Sequence, residues 1–406
     1  MSHVDETFEE GARSDVATPG HEPAFFRPDI QGMRALAVAL VILAHAEVPG
    51  FEGGYIGVDV FFVISGYVIT GLLLRLPDAP LRRNLAHFYS RRIRRIVPAA
   101  TLALVGTVFA AYWFLGANFN PQLLGDVRWA ALFSANFRLI NTGSNYFIPG
   151  IAPSLVTHFW SLAVEEQFYL VYPLALFSLT WMAPARHRTR KLGLFLVAAI
   201  VCSAWWSYHL TIVNPVSAYY SPLTRFWEIA LGALVSLAPV AWAKRTPQLN
   251  SVAALVAFGV ILVAAVRLDA HSVYPGVLAW WPCAATAVLL YTGQASSGVV
   301  VKWLSYRPCR YVGDISYSLY LWHFLWFMLP LQMVHPPNSA FKVFELAGAF
   351  ACAAASYHLV ENPIRRSKGL DRDGWAVVLL LVVCLAISWD ASMIVGHLAH
   401  QSYQFF

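Results

Sequence analysis

Long apolar runs recur along the chain, separated by short polar connections. Eleven of them reach roughly 17–23 residues, the length that crosses the hydrocarbon core of a bilayer as a helix. They are Ile30–Ala46, Tyr55–Leu74, Val97–Gly116, His158–Met182, Leu192–Val213, Pro222–Trp242, Ser251–Val266, Gly276–Gly293, Val312–Val334, Ala340–Leu359 and Trp375–His397. Core helices of soluble proteins are usually shorter and apolar on one face only. A further stretch, Leu124–Ile140, is only moderately apolar and contains Asp126, Arg128 and Arg138. It predicts an interfacial or re-entrant segment. The pattern as a whole predicts an all-α polytopic integral membrane protein with about 10–11 transmembrane helices.

Composition agrees with this pattern. Hydrophobic residues make up 58% of the 406 and charged residues 12%, against about 25% charged in soluble domains. The net charge of +6 does not predict nucleic-acid binding, because the basic residues sit in short loops between apolar runs. There they set orientation. The loops after the second, fourth, sixth, eighth and tenth runs, together with Arg13 and Arg27, hold 22 of the 28 basic residues. The positive-inside rule then places the N-terminus in the cytoplasm and the C-terminus outside.

Residues 1–26 carry six acidic side chains against Arg13 alone, which predicts a disordered cytoplasmic tail. They lack the basic-then-apolar order of a signal peptide. The membrane domain is then 27–397, and 398–406 form a short extracytoplasmic tail with no hydrolase-like domain. Four of the five cysteines lie in apolar runs and none forms a CxxC pair. They read as small buried hydrophobes, so no disulfide framework and no metal are expected.

Ionisable groups inside spans are costly and therefore informative. Arg34 and His45 lie eleven residues apart in the first span. Eleven helical steps return to nearly the same face after a rise of roughly 16 Å. A snorkelling arginine and an interfacial histidine would explain each residue singly, but not their shared face. Asp59 opens the second span, near the expected depth of His45. It is either an imidazole-orienting carboxylate or a helix N-terminal one favoured by the macrodipole. Arg91, Arg92, Arg94 and Arg95 predict a short basic helix before the third span. By itself this cluster reads as topogenic charge with anionic-lipid contact, phosphate binding being the alternative.

In the fourth span His158, Ser161 and Glu165 recur at steps of three and four on one face, with Glu166 beside them. A structural reading, a Glu locked to a neighbouring Arg, stands against a functional one. Arg225 and Glu228 form a simple i,i+3 ion pair. Tyr317 and His323 in the ninth span, and Glu361 at the end of the tenth, either line a polar cavity or hydrogen-bond between helices. Pro363 is expected to stop the tenth helix.

Six segments together resemble the acyltransferase-3 family, bacterial membrane enzymes that acylate envelope sugars. They are Asp29-Ile-Gln-Gly-Met-Arg34 with His45, Gly57-Val-Asp59-Val-Phe-Phe-Val-Ile-Ser65-Gly-Tyr, Phe88-Tyr-Ser-Arg91-Arg92-Ile-Arg94-Arg95-Ile-Val-Pro98, Phe159-Trp-Ser-Leu-Ala-Val-Glu165-Glu166, Ser316-Tyr-Ser-Leu-Tyr-Leu-Trp-His323 and Leu359-Val-Glu361-Asn-Pro363. The resemblance runs in the family's order from about Phe26 to Arg366. It implies that His45 is the catalytic base and that Arg91–Arg95 hold the phosphates of acyl-CoA, with Arg34 beside them. It also implies that Glu165 is the functional carboxylate of the fourth span.

The reaction implied moves an acyl group, commonly acetyl, from cytoplasmic acyl-CoA to a hydroxyl of a cell-envelope glycan or glycolipid. The protein would sit in the cytoplasmic (inner) membrane. Glu165 or Asp59 is expected to orient His45, and an acyl-His intermediate stands as an alternative to direct transfer. Ser161, Glu166, Tyr317, His323 and Glu361 are expected to line the cavity. The partners expected are membrane lipids, acyl-CoA and the acceptor, with no nucleic acid; a homo-oligomer is left open. Two other readings stand beside this one: acylation of a secondary metabolite such as a macrolide sugar, and a transporter or flippase. The Arg34/His45 pattern occurs once, whereas transporters often carry repeats.

Overall fold

The protein is described here from a computed structural model, over residues 27–76, 80–144, 153–181, 187–295, 298–333, 341–367, 369–370 and 374–404. The acidic segment 1–26 lies outside the described residues. Among the described residues all regular structure is helical. Each of the eleven apolar runs falls on helix: α1 (Pro28–His45), α2 (Gly57–Leu73), α3 (Leu81–Leu115), α6 (Phe159–Trp181), α7 (Arg188–Val213), α9 (Pro222–Ser236), α11 (Pro247–Arg267), α12 (Trp280–Thr292), α15 (Ser316–Leu331), α16 (Phe341–Ser356) and α18 (Gly374–Gln404). Short helices fill the connections, among them α14 (Arg307–Asp314). Six of the long helices are apolar and long enough to cross a membrane by that measure alone. The protein is an all-α polytopic membrane protein.

Three local expectations change. The basic segment is no separate helix: it is the first part of the 35-residue α3. At about 1.5 Å per residue α3 is roughly 52 Å long, so its basic end projects beyond a ~30 Å core. Pro363 does not stop the tenth span. A π-helical turn over Tyr357–Glu361 leads directly into α17 (Asn362–Arg366). The looser i→i+5 turn absorbs the hydrogen bond that proline cannot donate. At the C-terminus α18 runs unbroken to Gln404, so residues 398–404 continue the last helix.

The stretch Leu124–Ile140 becomes two short helices, α4 (Gln122–Ala131) and α5 (Ala135–Thr142). The break falls at Phe133, whose φ is +51°. Neither helix is long enough to span. An Arg138–Asp126 ion pair of 3.0 Å fastens one to the other.

Helix α2 lies in the middle of the bundle, and α7, α11, α16 and α18 lie outside it. Large apolar side chains on the outer helices, such as Val201, Trp205, Leu255, Val263, Leu379 and Val382, are exposed, as a lipid-facing surface requires. Without a hydrophobic drive between helices in lipid, small residues permit close approach. A Cβ on Gly66 of α2 would lie 1.8 Å from the Ile229 carbonyl oxygen of α9, and one on Gly232 of α9 would lie 1.8 Å from that of Val63. The same device joins α1 to α14, where Gly313 meets the Gln31 carbonyl.

Arg225 of α9 completes the α2–α9 contact. Its Nη1 donates to Asp59 and to Glu228, both at 2.9 Å, and its Nε donates to the Tyr219 carbonyl at 3.1 Å. The predicted Arg225–Glu228 pair is therefore present, with Asp59 as an added member. All three side chains are buried. The carboxylate of Asp59 is committed to Arg225 and the helix junction, which is a structural position. The histidine ring it was expected to orient has another partner.

Candidate functional site

Helix α2 is buried on nearly all sides, yet Phe61, Ser65, Val68 and Leu72 keep partial exposure. Their spacing of four, three and four residues makes one helical stripe. Ser65, Val68 and Leu72 of that stripe line a cavity, Phe61 packs against Tyr320, and functional side chains cluster at the two ends of the stripe.

The cavity at the Leu72 end has a volume of about 440 Å³, within the size range of cofactor sites. Six guanidinium groups line it: Arg34 of α1, Arg91, Arg92 and Arg95 of α3, and Arg365 and Arg366 of α17. No carboxylate is among the described lining residues. So many like charges together repel one another, and a polyanion relieves that repulsion. Arg34 Nη1 donates to Gln31 Oε1 at 3.1 Å. The Arg92 guanidinium stacks 3.7 Å from the centre of the Tyr169 ring. Arg94 stands apart. It projects from another side of α3 and donates to the Ser367 carbonyl at 3.0 Å, so it holds the turn after α17 in place and does not line the cavity.

Glu165 lies behind two of the lining residues, Ser65 and Tyr169. Ser65 Oγ and Tyr169 Oη both donate to its Oε1. Tyr169 lies one helical turn beyond Glu165, a spacing visible in the sequence. Ser65 comes from α2, and only tertiary packing brings it there. Glu166 is half-buried beside Arg92 and Arg95, and its Oε1 has no hydrogen-bond partner among the described residues. Glu361, fully buried in the π-helical turn, accepts from Ser318 Oγ at 2.9 Å. Tyr317 Oη donates to the Ile96 carbonyl at 2.8 Å, tying α15 to α3.

At the Phe61 end of the stripe lies a cluster of three histidines. The Phe61 ring packs edge-on to Tyr320 at 6.3 Å. Tyr320 Oη lies 2.6 Å from Ser161 Oγ and 3.1 Å from the His158 carbonyl, linking α15 to the start of α6. His158 stacks on Phe324 at 4.7 Å, and His45 meets the edge of the same ring at 5.0 Å. His45 Nδ1 lies 3.2 Å from His323 Nε2. The structure thus brings His45, His323 and Ser161 together with His158 and Tyr320. Glu165 sits two turns along α6 from His158, in the arginine layer. Its carboxylate is therefore placed to act with Arg34, Ser65 and Tyr169.

Some contributors were not singled out from the sequence. Arg365 and Arg366 read there only as orientation charge. Tyr320 sits one turn before His323, at i,i+3, which is the signal that would have found it.

These features define a multi-pass membrane protein with a basic cavity near one end of α1 and an imidazole cluster at the other. The family described as an acyltransferase domain matches residues 27–393, and the chain belongs to this acyltransferase-3 family. Similar proteins include the peptidoglycan O-acetyltransferase OatA of Listeria monocytogenes, 31% identical over 84% of this chain and 56% of its own length. The putative peptidoglycan O-acetyltransferase YrhL of Bacillus subtilis is 32% identical over 83% and 55%. The O-acetyltransferase OatA of Staphylococcus aureus is 28% identical over 89% and 63%. The chain therefore spans between about half and two thirds of the length of these relatives. No solved structure matches.

Proposed function

We propose that the protein is a membrane O-acyltransferase that moves an acyl group, acetyl in the first instance, from cytoplasmic acyl-CoA to a hydroxyl of a cell-envelope glycan. One observation carries this reading. Helix α1 supplies Arg34 to the six-arginine cavity and, three turns further along the same face, His45 to the histidine cluster. Their separation is roughly 16 Å along that helix. An extended donor with a polyphosphate head and a thioester tail fits such an arrangement. Peptidoglycan O-acetyltransferases among the relatives support the acceptor class.

In this mechanism the arginines hold the donor phosphates by charge-assisted hydrogen bonds. The thioester extends along the Leu72-to-Phe61 stripe to His45. His45 takes the proton of the acceptor hydroxyl as its oxygen attacks the thioester carbonyl. The new C–O bond forms and the C–S bond breaks as the tetrahedral intermediate collapses. The departing thiolate takes the proton back from His45, leaving ester and free CoA. Glu165, fixed by Ser65 and Tyr169, steadies the arginine layer. By the positive-inside rule the arginine end is cytoplasmic and the histidine end faces the outer leaflet.

The test uses membranes bearing wild type or His45→Ala, supplied with acetyl-CoA labelled in the acetyl group. The expected result is CoA release and label in a glycan fraction, both lost in the variant. Label transfer that persists without His45 would overturn the assignment of the base. Wild-type membranes that neither release CoA nor bind it saturably would overturn the function.

A further inference from the structure

Three of the four ring nitrogens in the His45–His323 pair have partners whose chemistry is known, and these partners determine where the protons sit. His323 is fully buried in α15. Its Nδ1 lies 2.7 Å from the Tyr320 carbonyl oxygen. A carbonyl oxygen only accepts, so His323 Nδ1 carries the proton. A neutral imidazole has one N–H, and His323 Nε2 therefore presents a lone pair. That lone pair faces His45 Nδ1 at 3.2 Å. The hydrogen bond between the rings then requires the proton on His45 Nδ1. The carbonyl of Val41, one turn back on α1, is a further acceptor for the His45 ring.

We propose that His323 is a positioning residue for acyl transfer: as a buried neutral acceptor it holds the His45 proton on Nδ1, so that Nε2 is the basic nitrogen offered to the acceptor hydroxyl. The chain of donors runs from His45 Nδ1–H to His323 Nε2, and from His323 Nδ1–H to the Tyr320 carbonyl. After proton transfer, His45 carries protons on both nitrogens and keeps the bond to His323, which steadies the imidazolium until the leaving thiolate is protonated. A carboxylate orienting group would also hold the ring but would bring a full charge into the membrane interior, where it is costly. A second neutral imidazole avoids that charge. This also explains why neither Asp59 nor Glu165 is needed beside His45. The inference rests on the acyltransferase reading for its catalytic consequence, but the proton placement stands on the structure alone.

Two measurements test it. The first is kinetic and compares His323→Gln, whose amide oxygen can accept at the place of Nε2, with His323→Leu, which cannot. Leu is the better substitute for packing and Gln buries an amide, so a purely structural role would favour Leu. The positioning role orders the activities the other way. We expect His323→Leu to lower kcat roughly 100- to 10,000-fold, the scale of a lost general base, with the KM for acetyl-CoA unchanged. His323→Gln should recover at least a tenfold part of that loss. Activity in His323→Leu equal to or above that of His323→Gln, at matched amounts of folded protein, would overturn the proposal.

The second measurement needs no turnover. Nitrogen-15 spectra of histidine-labelled protein in bilayers, with the His45 signals assigned by difference from His45→Ala, report which ring nitrogen bears the proton. Protonated Nδ1 in wild type and a shift towards the other tautomer in His323→Leu are expected. Protonated Nε2 in wild type would overturn the proposal whatever the protein's reaction, whereas protonated Nδ1 without acyl transfer would fault the functional reading alone.

Discussion

Arg365→Ala gives a searching test of the donor site, because its charge would otherwise be assigned to membrane orientation alone. The structure places Arg365 on the cavity wall with Arg34, Arg92 and Arg95, all four partly screened from solvent, whereas Arg91 and Arg366 are exposed. A charge-assisted hydrogen bond to phosphate contributes about 1.5–3 kcal/mol. At 1.4 kcal/mol per decade this is roughly a 10- to 150-fold rise in Kd. Five arginines remain after one is removed, so the lower part of that range applies: about tenfold for Arg92, Arg95 or Arg365. Exposed ion pairs contribute about 0–1 kcal/mol, which sets Arg91→Ala and Arg366→Ala near or below fivefold. Lys244→Ala is the control. It removes an exposed charge on α10 (Val240–Arg245) that is not among the residues lining the cavity.

The assay is equilibrium binding of desulfo-CoA to membranes at low and at high salt. Added salt should weaken wild-type binding, and the Arg366 contribution should fade more than that of Arg365. A Lys244→Ala effect as large as that of Arg365→Ala would show that bulk surface charge, not this cavity, binds the anion. Arg92, Arg95 and Arg365 variants all within twofold of wild type would refute the donor site.

Four further outcomes are expected. Glu165→Gln should lower turnover about 10- to 100-fold, the scale of a weakened charged hydrogen-bond network, in a protein that still folds by size-exclusion profile; unchanged turnover would remove Glu165 from the site. Gly232→Ala should push α9 from α2 by about 1.6 Å at the Val63 carbonyl and cost roughly 1–3 kcal/mol, seen as a lower midpoint of thermal unfolding in detergent; an unchanged midpoint would contradict the crossing. Arg225→Leu leaves Asp59 and Glu228 buried together and should cost about 3–5 kcal/mol, read as loss of folded protein in membranes, while Asp59→Asn should retain measurable transfer because its carboxylate does not serve His45. Folded, active Arg225→Leu protein would contradict the structural role given to this cluster.

Much of this molecule follows from periodicity along single helices. The apolar runs and their lengths determined the spans, because a bilayer admits backbone only when its hydrogen bonds are made internally. The same periodicity placed Arg34 and His45 on one face of α1, and Glu165, Ser161 and His158 in line on α6. What periodicity cannot specify is how one helix is rotated and set against another. Asp59 and His45 looked like neighbours by depth, yet Asp59 turns to Arg225, 166 residues away. His45 instead meets His323, 278 residues away, and Glu165 meets Ser65, 100 residues away. Those choices depend on lateral packing, which the close Gly66, Gly232 and Gly313 contacts fix by letting particular faces approach. The arginine cavity is likewise an assembly of α1, α3 and α17, drawn together because the π-helical turn carries the chain past Pro363 and keeps Arg365 within reach of Arg34. Sequence thus determined which groups lie on apolar helices and which of them share a helical face, and tertiary structure decided which of them touch, because contact between helices is settled by three-dimensional packing that no one-dimensional spacing encodes.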